Sequence, residues 1–179
     1  MNLKELFSKL EKSSAFKDFR KENKDAFFCA AFIIMSIKQS SFENSLDFRN
    51  EKEIFTFKIQ EGEKNKDEII MQKEELLPSR KQLEKIDEKD AKNIKADVES
   101  LKKIVEEHLK KNKIENPLEE IIAVLQSSED GKKLSWHMTC IASGFAIISI
   151  IINAKSGNIE KFEKKNLLDF MSVRKPEKK

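Results

Sequence analysis

Residues 134–154 read LSWHMTCIASGFAIISIIINA, a run of 21 positions without a charged side chain in a chain that is 37% Asp, Glu, Lys and Arg. A membrane-spanning helix needs about 20 apolar residues, so the run is long enough to be one. Its content favours two strands. Residues 134–140 alternate strictly between apolar and polar side chains, which is the period of a half-buried strand. Gly144 then permits a bend before a second, Ile-rich strand, since β-branched side chains suit a pleated sheet.

The second strand of this run, residues 145–152, carries apolar side chains on both of its faces. This pattern predicts a central strand that is covered on both sides. The polar residues 153–158 follow and predict a turn, with Gly157 at a position of positive φ.

The charged side chains are interleaved along the chain. Its 179 residues include 35 basic and 32 acidic side chains, for a net charge of +3. Such interleaving is typical of solvated faces with local ion pairs, whereas a nucleic-acid interface needs clustered Lys and Arg. We therefore expect no nucleic-acid partner, and we interpret the basic run of residues 174–179 as part of a disordered tail.

Cys29 and Cys140 each lie in an apolar run, far from any second cysteine. This placement predicts two free, buried thiols that pack as small apolar side chains. The first residues carry charged side chains at once and lack the apolar centre of a signal peptide. Together these features predict a cytoplasmic protein without a membrane association.

Two segments of the chain show the same order of patterns. In the first, apolar residues at helical spacing (3–19) precede an apolar run (26–36) and a predicted hairpin (46–59), and residues 69–71 suggest a further strand. The apolar run predicts a central strand, with a buried helix as the alternative. After Pro78, residues 94–109 predict an amphipathic helix, and three strands follow it.

The predicted fold class is α+β, with helices packed on antiparallel sheet in two similar α-β-β-β halves. The predicted organisation is a first half at 1–77, a charged connector at 78–89, a second half at 90–171 and a disordered basic tail at 172–179. Whether the halves share one sheet stays open.

Residues 150–159, IIINAKSGNI, resemble the end of a PepSY-type repeat, where a strand runs into Asp-Ala-x-Thr-Gly-x-Val. Gly157 matches that pattern, while Asn153, Ser156 and Ile159 replace its Asp, Thr and Val. Over about residues 90–170 the layout is similar to that of small uncharacterised archaeal proteins of PepSY-like or cystatin-like fold. The resemblance implies a non-catalytic module. PepSY modules are usually extracytoplasmic and restrain peptidases, but the start of this chain lacks the export signal that they carry.

His137 comes nearest to a catalytic pattern. It shares the polar face of its strand with Ser135, and such a pair can act as base and nucleophile. No acidic residue is placed by the sequence to orient His137, so we expect a half-exposed structural histidine and no catalytic residue. His137 and Cys140 have a spacing found in zinc sites, but residues three apart on a strand point to opposite faces. We expect no metal, and no glycine-rich phosphate loop indicates a cofactor.

A well-patterned core without a catalytic constellation predicts a non-enzymatic binding or protein-interaction module. Its expected partner is an unknown protein or a small apolar ligand, with homodimer formation through an edge strand as a further possibility. The candidate lining residues are Trp136, His137, Phe55 and Phe57. The alternatives are a hydrolase-type enzyme that uses His137, or a membrane-anchored protein with its span at 134–154.

Overall fold

In the computed structural model of the protein, the described residues form one sheet of eight antiparallel strands, and helices pack against one of its faces. The structure describes residues 2–61, 67–76, 83–144 and 146–166. Alternate side chains of the strands point toward the helices and join them in a continuous core. The fold class is therefore α+β, as predicted.

The described elements follow one another along the chain in a simple order. They are α1 (Leu3–Lys12), α2 (Ser14–Glu22), β1 (Phe27–Ser36), β2 (Ser41–Arg49), β3 (Glu53–Glu61), β4 (Asp67–Glu75), α3 (Glu88–Lys92), α4 (Val98–Lys111), β5 (Leu118–Ser127), β6 (Leu134–Ala142), β7 (Ala146–Asn153) and β8 (Ile159–Asn166). In space the strands are ordered β4-β3-β2-β1-β5-β6-β7-β8. The two runs of strands thus share one sheet, which the sequence had left open.

The uncharged run of residues 134–154 forms β6 and β7, so the prediction of strands is confirmed. The two strands pair from Ser135 opposite Asn153 to Ala142 opposite Ala146, and the bend between them places Gly144 at φ +75°. The alternative of a membrane span at 134–154 is wrong, because these residues are two strands and not one helix. In the described part of the chain, no helix has the length and apolarity that crossing a bilayer requires.

β7 is not the central strand that its sequence predicts, since it lies one place from the edge of the sheet, beside β8. The helix-facing side chains, such as Ile148 and Ile150, are at most 1% exposed. On the other face Ile147 and Ile151 are half-buried and Ser149 is exposed. The face of β7 that points away from the helices is therefore only partly covered, whereas the sequence predicted cover on both faces.

β1 is central, as predicted, and joins the two runs of strands. It pairs with β2 on one side and with β5 on the other, from Ala31 opposite Leu125 to Ser36 opposite Glu120. The pairing with β2 shifts register between Phe28 and Ala30, which is a β-bulge. Every strand pair in the sheet is antiparallel.

The helix boundaries follow from capping. Asn2 and Glu5 form a capping box at the start of α1, and the Ser13 side chain caps α2. The prediction that one helix begins near Ile94 is wrong. Asp97 caps the backbone N–H of Val98, so α4 starts there, and Ile94 lies in the segment after the short helix α3. The apolar stripe of α4 is buried as expected.

Phenylalanine rings fill the core between the first two helices and the sheet. Phe19 of α2 contacts Phe55 and Phe57 of β3, with ring centroids 4.8 and 5.0 Å apart. Phe7 of α1 meets Phe28 of β1 edge-on at 5.0 Å. Edge-to-face and tilted contacts of this kind are favourable for aromatic rings.

Candidate functional site

A cavity of about 780 Å³ lies on the helix side of the sheet, between α1, α4 and the ends of β1 to β3. We call it the Asn44 cavity. Its lining consists of apolar side chains on the floor and polar or charged ones at the rim: Lys9, Met35, Ser40, Ser41, Phe42, Glu43, Asn44, Ile59, Gln60, Asp67, Val98, Glu99 and Lys102. Its volume lies within the range of ordinary small-molecule sites, about 300–1,000 Å³.

The cavity exists because the helices leave one corner of the sheet uncovered. Phe42, Asn44 and Leu46 alternate on the helix-facing side of β2, and Phe42 lies opposite Met35 of β1. Leu46 is fully buried under the helices, whereas Phe42 is 55% exposed, the most exposed large apolar side chain in the described part of the chain. The helix-facing side of β2 therefore extends beyond the helices, and its last part is not covered by them.

Asn44 carries a buried acceptor without a partner. Its side chain is 6% exposed, and its Oδ1 accepts no hydrogen bond from any described residue. A buried polar atom left unpaired costs about 1–3 kcal/mol, and buried polar groups in folded proteins are nearly always hydrogen-bonded. Asn44 is among the residues that line the Asn44 cavity, although the oxygen itself is covered.

Charges of both signs surround the mouth of the Asn44 cavity. The Lys9 ammonium lies 2.7 Å from the Asp67 carboxylate, which joins α1 to the first residue of β4. On α4, Lys102 forms a looser pair with Glu106 at 3.8 Å. Both lysines of the rim are thus paired, and Glu43 and Glu99 add two carboxylates, so the rim presents charges of both signs around the apolar floor.

A second cavity, of about 470 Å³, lies on the opposite face of the sheet and includes His137. We call it the His137 cavity. Ser135 and His137 of β6 and Glu160 of β8 all line it. The sequence placed no acidic residue beside His137, and the structure brings Glu160 there. The pKa of Glu160 is lowered, first by its hydrogen bond from Lys133 and also by the charge of His137.

The Glu160 carboxylate is already held by other groups. Lys133 Nζ lies 2.8 Å from it, and Asn153 Nδ2 donates to it at 3.1 Å. Ser135 is 6% exposed in a regular strand and does not sit on a strained turn. In residues 2–61, 67–76, 83–144 and 146–166, no three His, Cys, Asp or Glu side chains are grouped so that they could hold a metal ion.

The structure separates the four residues that the sequence offered as ligand contacts. Trp136, Phe55 and Phe57 are at most 2% exposed in the core and line neither of the two cavities. The Trp136 indole N–H donates to the Ala96 carbonyl at 2.6 Å. His137 is exposed and lines the His137 cavity. The sequence did not predict a role for Asn44. Its spacing from Leu46 and Phe48 nevertheless places it, as a polar residue, on the same face of β2 as these two apolar side chains.

Both cysteines are free and fully buried, on β1 and β6 respectively. Burial raises the pKa of each thiol above its ordinary value. The Cys29 Sγ donates to the Asp47 carbonyl at 3.3 Å. Neither thiol is therefore suited to nucleophilic chemistry, which requires the thiolate.

Comparison with known proteins defines the fold class only. No family model matches the chain, and no curated protein does. The crystal structure of a putative lipoprotein from Clostridium difficile 630 is similar, with a TM-score of 0.54 and 17% sequence identity. The match covers 84% of this chain and 90% of the other. At this identity the likeness shows that the two chains share a fold.

Proposed function

We propose that the protein is a non-enzymatic binding module that holds a small, largely apolar ligand in the Asn44 cavity. The observation that carries the proposal is Asn44, a residue of the cavity lining whose buried Oδ1 has no hydrogen-bond partner among the described residues. A ligand donor that meets this oxygen after a rotation of the side chain would offset the cost of burying it. The exposed Phe42 ring beside it offers a surface that gains by being covered.

The lining defines the class of ligand. Met35, Phe42, Ile59 and Val98 supply an apolar floor, which selects an aliphatic or aromatic body. Asn44 selects one N–H or O–H group on that body. The paired charges of the rim do not require a charged ligand, so the proposed class is a neutral apolar molecule with one hydrogen-bond donor.

The proposal also includes the relationship to PepSY-like or cystatin-like modules and the location of the protein. Each run of four strands follows two helices, which supports two similar halves arranged as in PepSY-like or cystatin-like modules. The two free cysteines support a location in a reducing compartment such as the cytoplasm. A module of this kind acts by binding, and the proposed role does not include catalysis.

Native mass spectrometry of protein purified from its own host tests the proposal. Wild-type protein should carry an added small-molecule mass that Asn44→Leu loses, because leucine fills the space and removes the acceptor. Phe42→Ala should weaken binding by about tenfold, the effect of about 1.4 kcal/mol of lost apolar contact. Met71→Ala is the matched control, since Met71 is also a large exposed apolar side chain, at 45%, but lies outside the cavity.

Two results would contradict the proposal. One is a wild-type protein that carries no added mass and shows no thermal shift with a library of apolar donors. The other is a bound molecule that Asn44→Leu and Phe42→Ala retain as well as Met71→Ala does.

A hydrolase that uses His137 is the alternative proposal, and the meeting of Ser135, His137 and Glu160 in the His137 cavity favours it. His137 would act as the base, and Ser135 as the nucleophile. A screen with activated esters tests this role. Hydrolysis that His137→Ala abolishes, while Asn44→Leu retains it, would replace the binding module by the enzyme.

A further inference from the structure

β4 is an edge strand with one side paired and the other open. Its nine residues pair with β3 in unbroken register, from Glu53 opposite Glu75 to Glu61 opposite Asp67. Within the described ranges, no strand pairs with its outer side. An edge strand of this length presents a row of backbone N–H and C=O groups that another extended chain can bind.

The side chains of β4 are almost all in solvent. Eight of the nine are exposed, and Ile69 alone is half-buried. Ile70 and Met71 are 38% and 45% exposed. Since successive side chains of a strand point to opposite faces, these two apolar groups lie on either side of the open edge. An added strand would therefore find one apolar contact on each face of the sheet.

The charges of β4 are mostly negative. The strand carries four acidic residues, Asp67, Glu68, Glu74 and Glu75, and one basic residue, Lys73. Lys73 is paired with Glu53 on β3 at 2.7 Å, and Asp67 with Lys9 at 2.7 Å. The remaining carboxylates give the open edge a negative potential, which favours a basic partner.

The opposite edge of the sheet, β8, is built differently. Its pairing with β7 shifts register between Ile151 and Ile152, and such a bulge turns an edge away from further pairing. Its charges are also neutralised locally, since Lys161 pairs with Glu163 at 2.9 Å and Glu160 with Lys133 at 2.8 Å. The bulge of β8 has no counterpart along the paired length of β4, which carries a single lysine, Lys73, already paired with Glu53.

We propose that β4 is a docking edge, at which an extended basic segment of a partner protein adds a ninth strand to the sheet. The segment alternates Lys or Arg with apolar residues. Its backbone pairs with the open side of β4, its basic side chains lie on the face of Glu68 and Glu74, and its apolar side chains lie on the opposite face, where they cover Met71. This site is separate from the Asn44 cavity and does not depend on it.

Hydrogen exchange with two synthetic heptapeptides tests the proposal. One peptide alternates Lys and Val, the other Glu and Val, and both have blocked termini. The basic peptide should slow the exchange of the outward-facing β4 amides by about tenfold or more when the site is nearly saturated, since exchange then requires the free edge. The acidic peptide should leave them unchanged. Raising the salt concentration to about 1 M should weaken the binding of the basic peptide, because exposed charges are then screened.

Charge reversal provides the matched variants. Glu68→Lys with Glu74→Lys, two positions on one face of β4, should weaken binding of the basic peptide by about tenfold, as expected for two exposed charge pairs. Glu22→Lys with Glu107→Lys changes the net charge equally on α2 and α4 and should leave binding within about twofold. Asn44→Leu should also leave it unchanged, so the failure of either proposal is visible apart from the other.

Four results would overturn the proposal. They are equal binding of the two peptides, protection of β8 in place of β4, equal loss in both charge-reversal variants, and self-association of the peptide-free protein that the β4 variant abolishes. The last result would assign the edge to a second copy of this chain.

Discussion

Asp47, on β2, is half-buried, and its carboxylate has a buried Oδ1 without a hydrogen-bond partner among the described residues. Burial raises its pKa from 3.8 to about 6, and the nearby charge of Glu74 adds to the rise despite a hydrogen bond from Thr56. The folded protein therefore binds a proton more tightly than the unfolded chain between about pH 4 and 6. The stabilisation from the neutral group is complete below pH 4 and is lost as the pH rises through 6.

Asp47→Asn should therefore stabilise the protein above pH 6. The expected gain is about 2–3 kcal/mol, from a shift of about two pKa units. The difference in unfolding free energy between variant and wild type should grow from pH 4 to 6 and then level off. Urea denaturation at a series of pH values measures it, and a difference that does not change with pH would contradict the assignment.

Trp136 shows how one side chain ties the sheet to the segment before α4. Its ring is fully buried, and its N–H donates to the Ala96 carbonyl. Trp136→Phe should cost about 2–4 kcal/mol, because it leaves both a smaller ring and an unpaired buried carbonyl. Ile148→Val, which removes one buried methylene, should cost about 1 kcal/mol. Circular dichroism in urea gives both values, and equal costs would show that the hydrogen bond contributes nothing.

At the scale of residues, the sequence predicts which side chains are buried better than what they do. The aromatic residues proposed as ligand contacts belong to the core, because a strand facing helices buries the same alternating pattern that lines a pocket. Asn44 was overlooked for the opposite reason. A polar residue between Ser and Glu neighbours gives no local sign that the helices stop short of it.

At the scale of elements, Asp97 joins two helices. Its carboxylate caps α4 through Val98 N at 2.7 Å and also accepts from Leu3 N, at the start of α1, at 3.0 Å. One side chain thus satisfies N–H groups of two helices, although Asp97 and Leu3 are 94 residues apart in the chain. Desolvation raises its pKa, but these backbone hydrogen bonds act in the opposite direction.

Asp97→Ala should destabilise the protein by about 2 kcal/mol or more, since both caps are lost together. Asp87→Ala is the control, because Asp87 caps only the short helix α3 through Lys89 N, and its cost should stay near or below 1 kcal/mol. The two values come from chemical denaturation. A smaller effect at Asp97 than at Asp87 would contradict the double role.

Element types are predictable here, but their ends depend on contacts that the local sequence does not contain. The alternation of residues 134–140 predicts β6 because one face of this strand is buried against the helices. The start of β2 at Ser41 is not visible in the sequence, since the residues before Leu46 are mostly polar and their pairing with β1 is what makes them a strand. Likewise, the spacing of Ile94 fits α4, yet the cap at Asp97 sets its start.

At the scale of the whole molecule, the pairing of β1 with β5 makes one sheet out of two runs of strands. Neither run can lose this contact without opening a new edge in the middle of the sheet. The pairing of β1 with β5 is specified because Ile33, Ala123 and their neighbours are buried together. The sequence of one segment alone does not show which strand of the other segment it pairs with. The sequence therefore predicts the class α+β but leaves the number of sheets undecided.

The protein should accordingly unfold in a single cooperative transition. Far-ultraviolet circular dichroism and the fluorescence of Trp136, which lies in β6, should give coincident urea curves. Trp136 is the only tryptophan of the chain, so its signal reports the second run of strands. Two separated transitions would contradict the shared sheet and support two independent domains at 1–77 and 90–171.

The two buried thiols have a consequence for measuring local motion. Cys29 lies on β1 and Cys140 on β6, with β5 between these strands. Iodoacetamide reaches a buried thiol only when the surrounding structure opens, so the alkylation rate of each cysteine reports how often its own strand is released. The native protein thus contains two natural labelling positions, one in each run of strands, and a mass spectrometer can compare their opening without any engineered change.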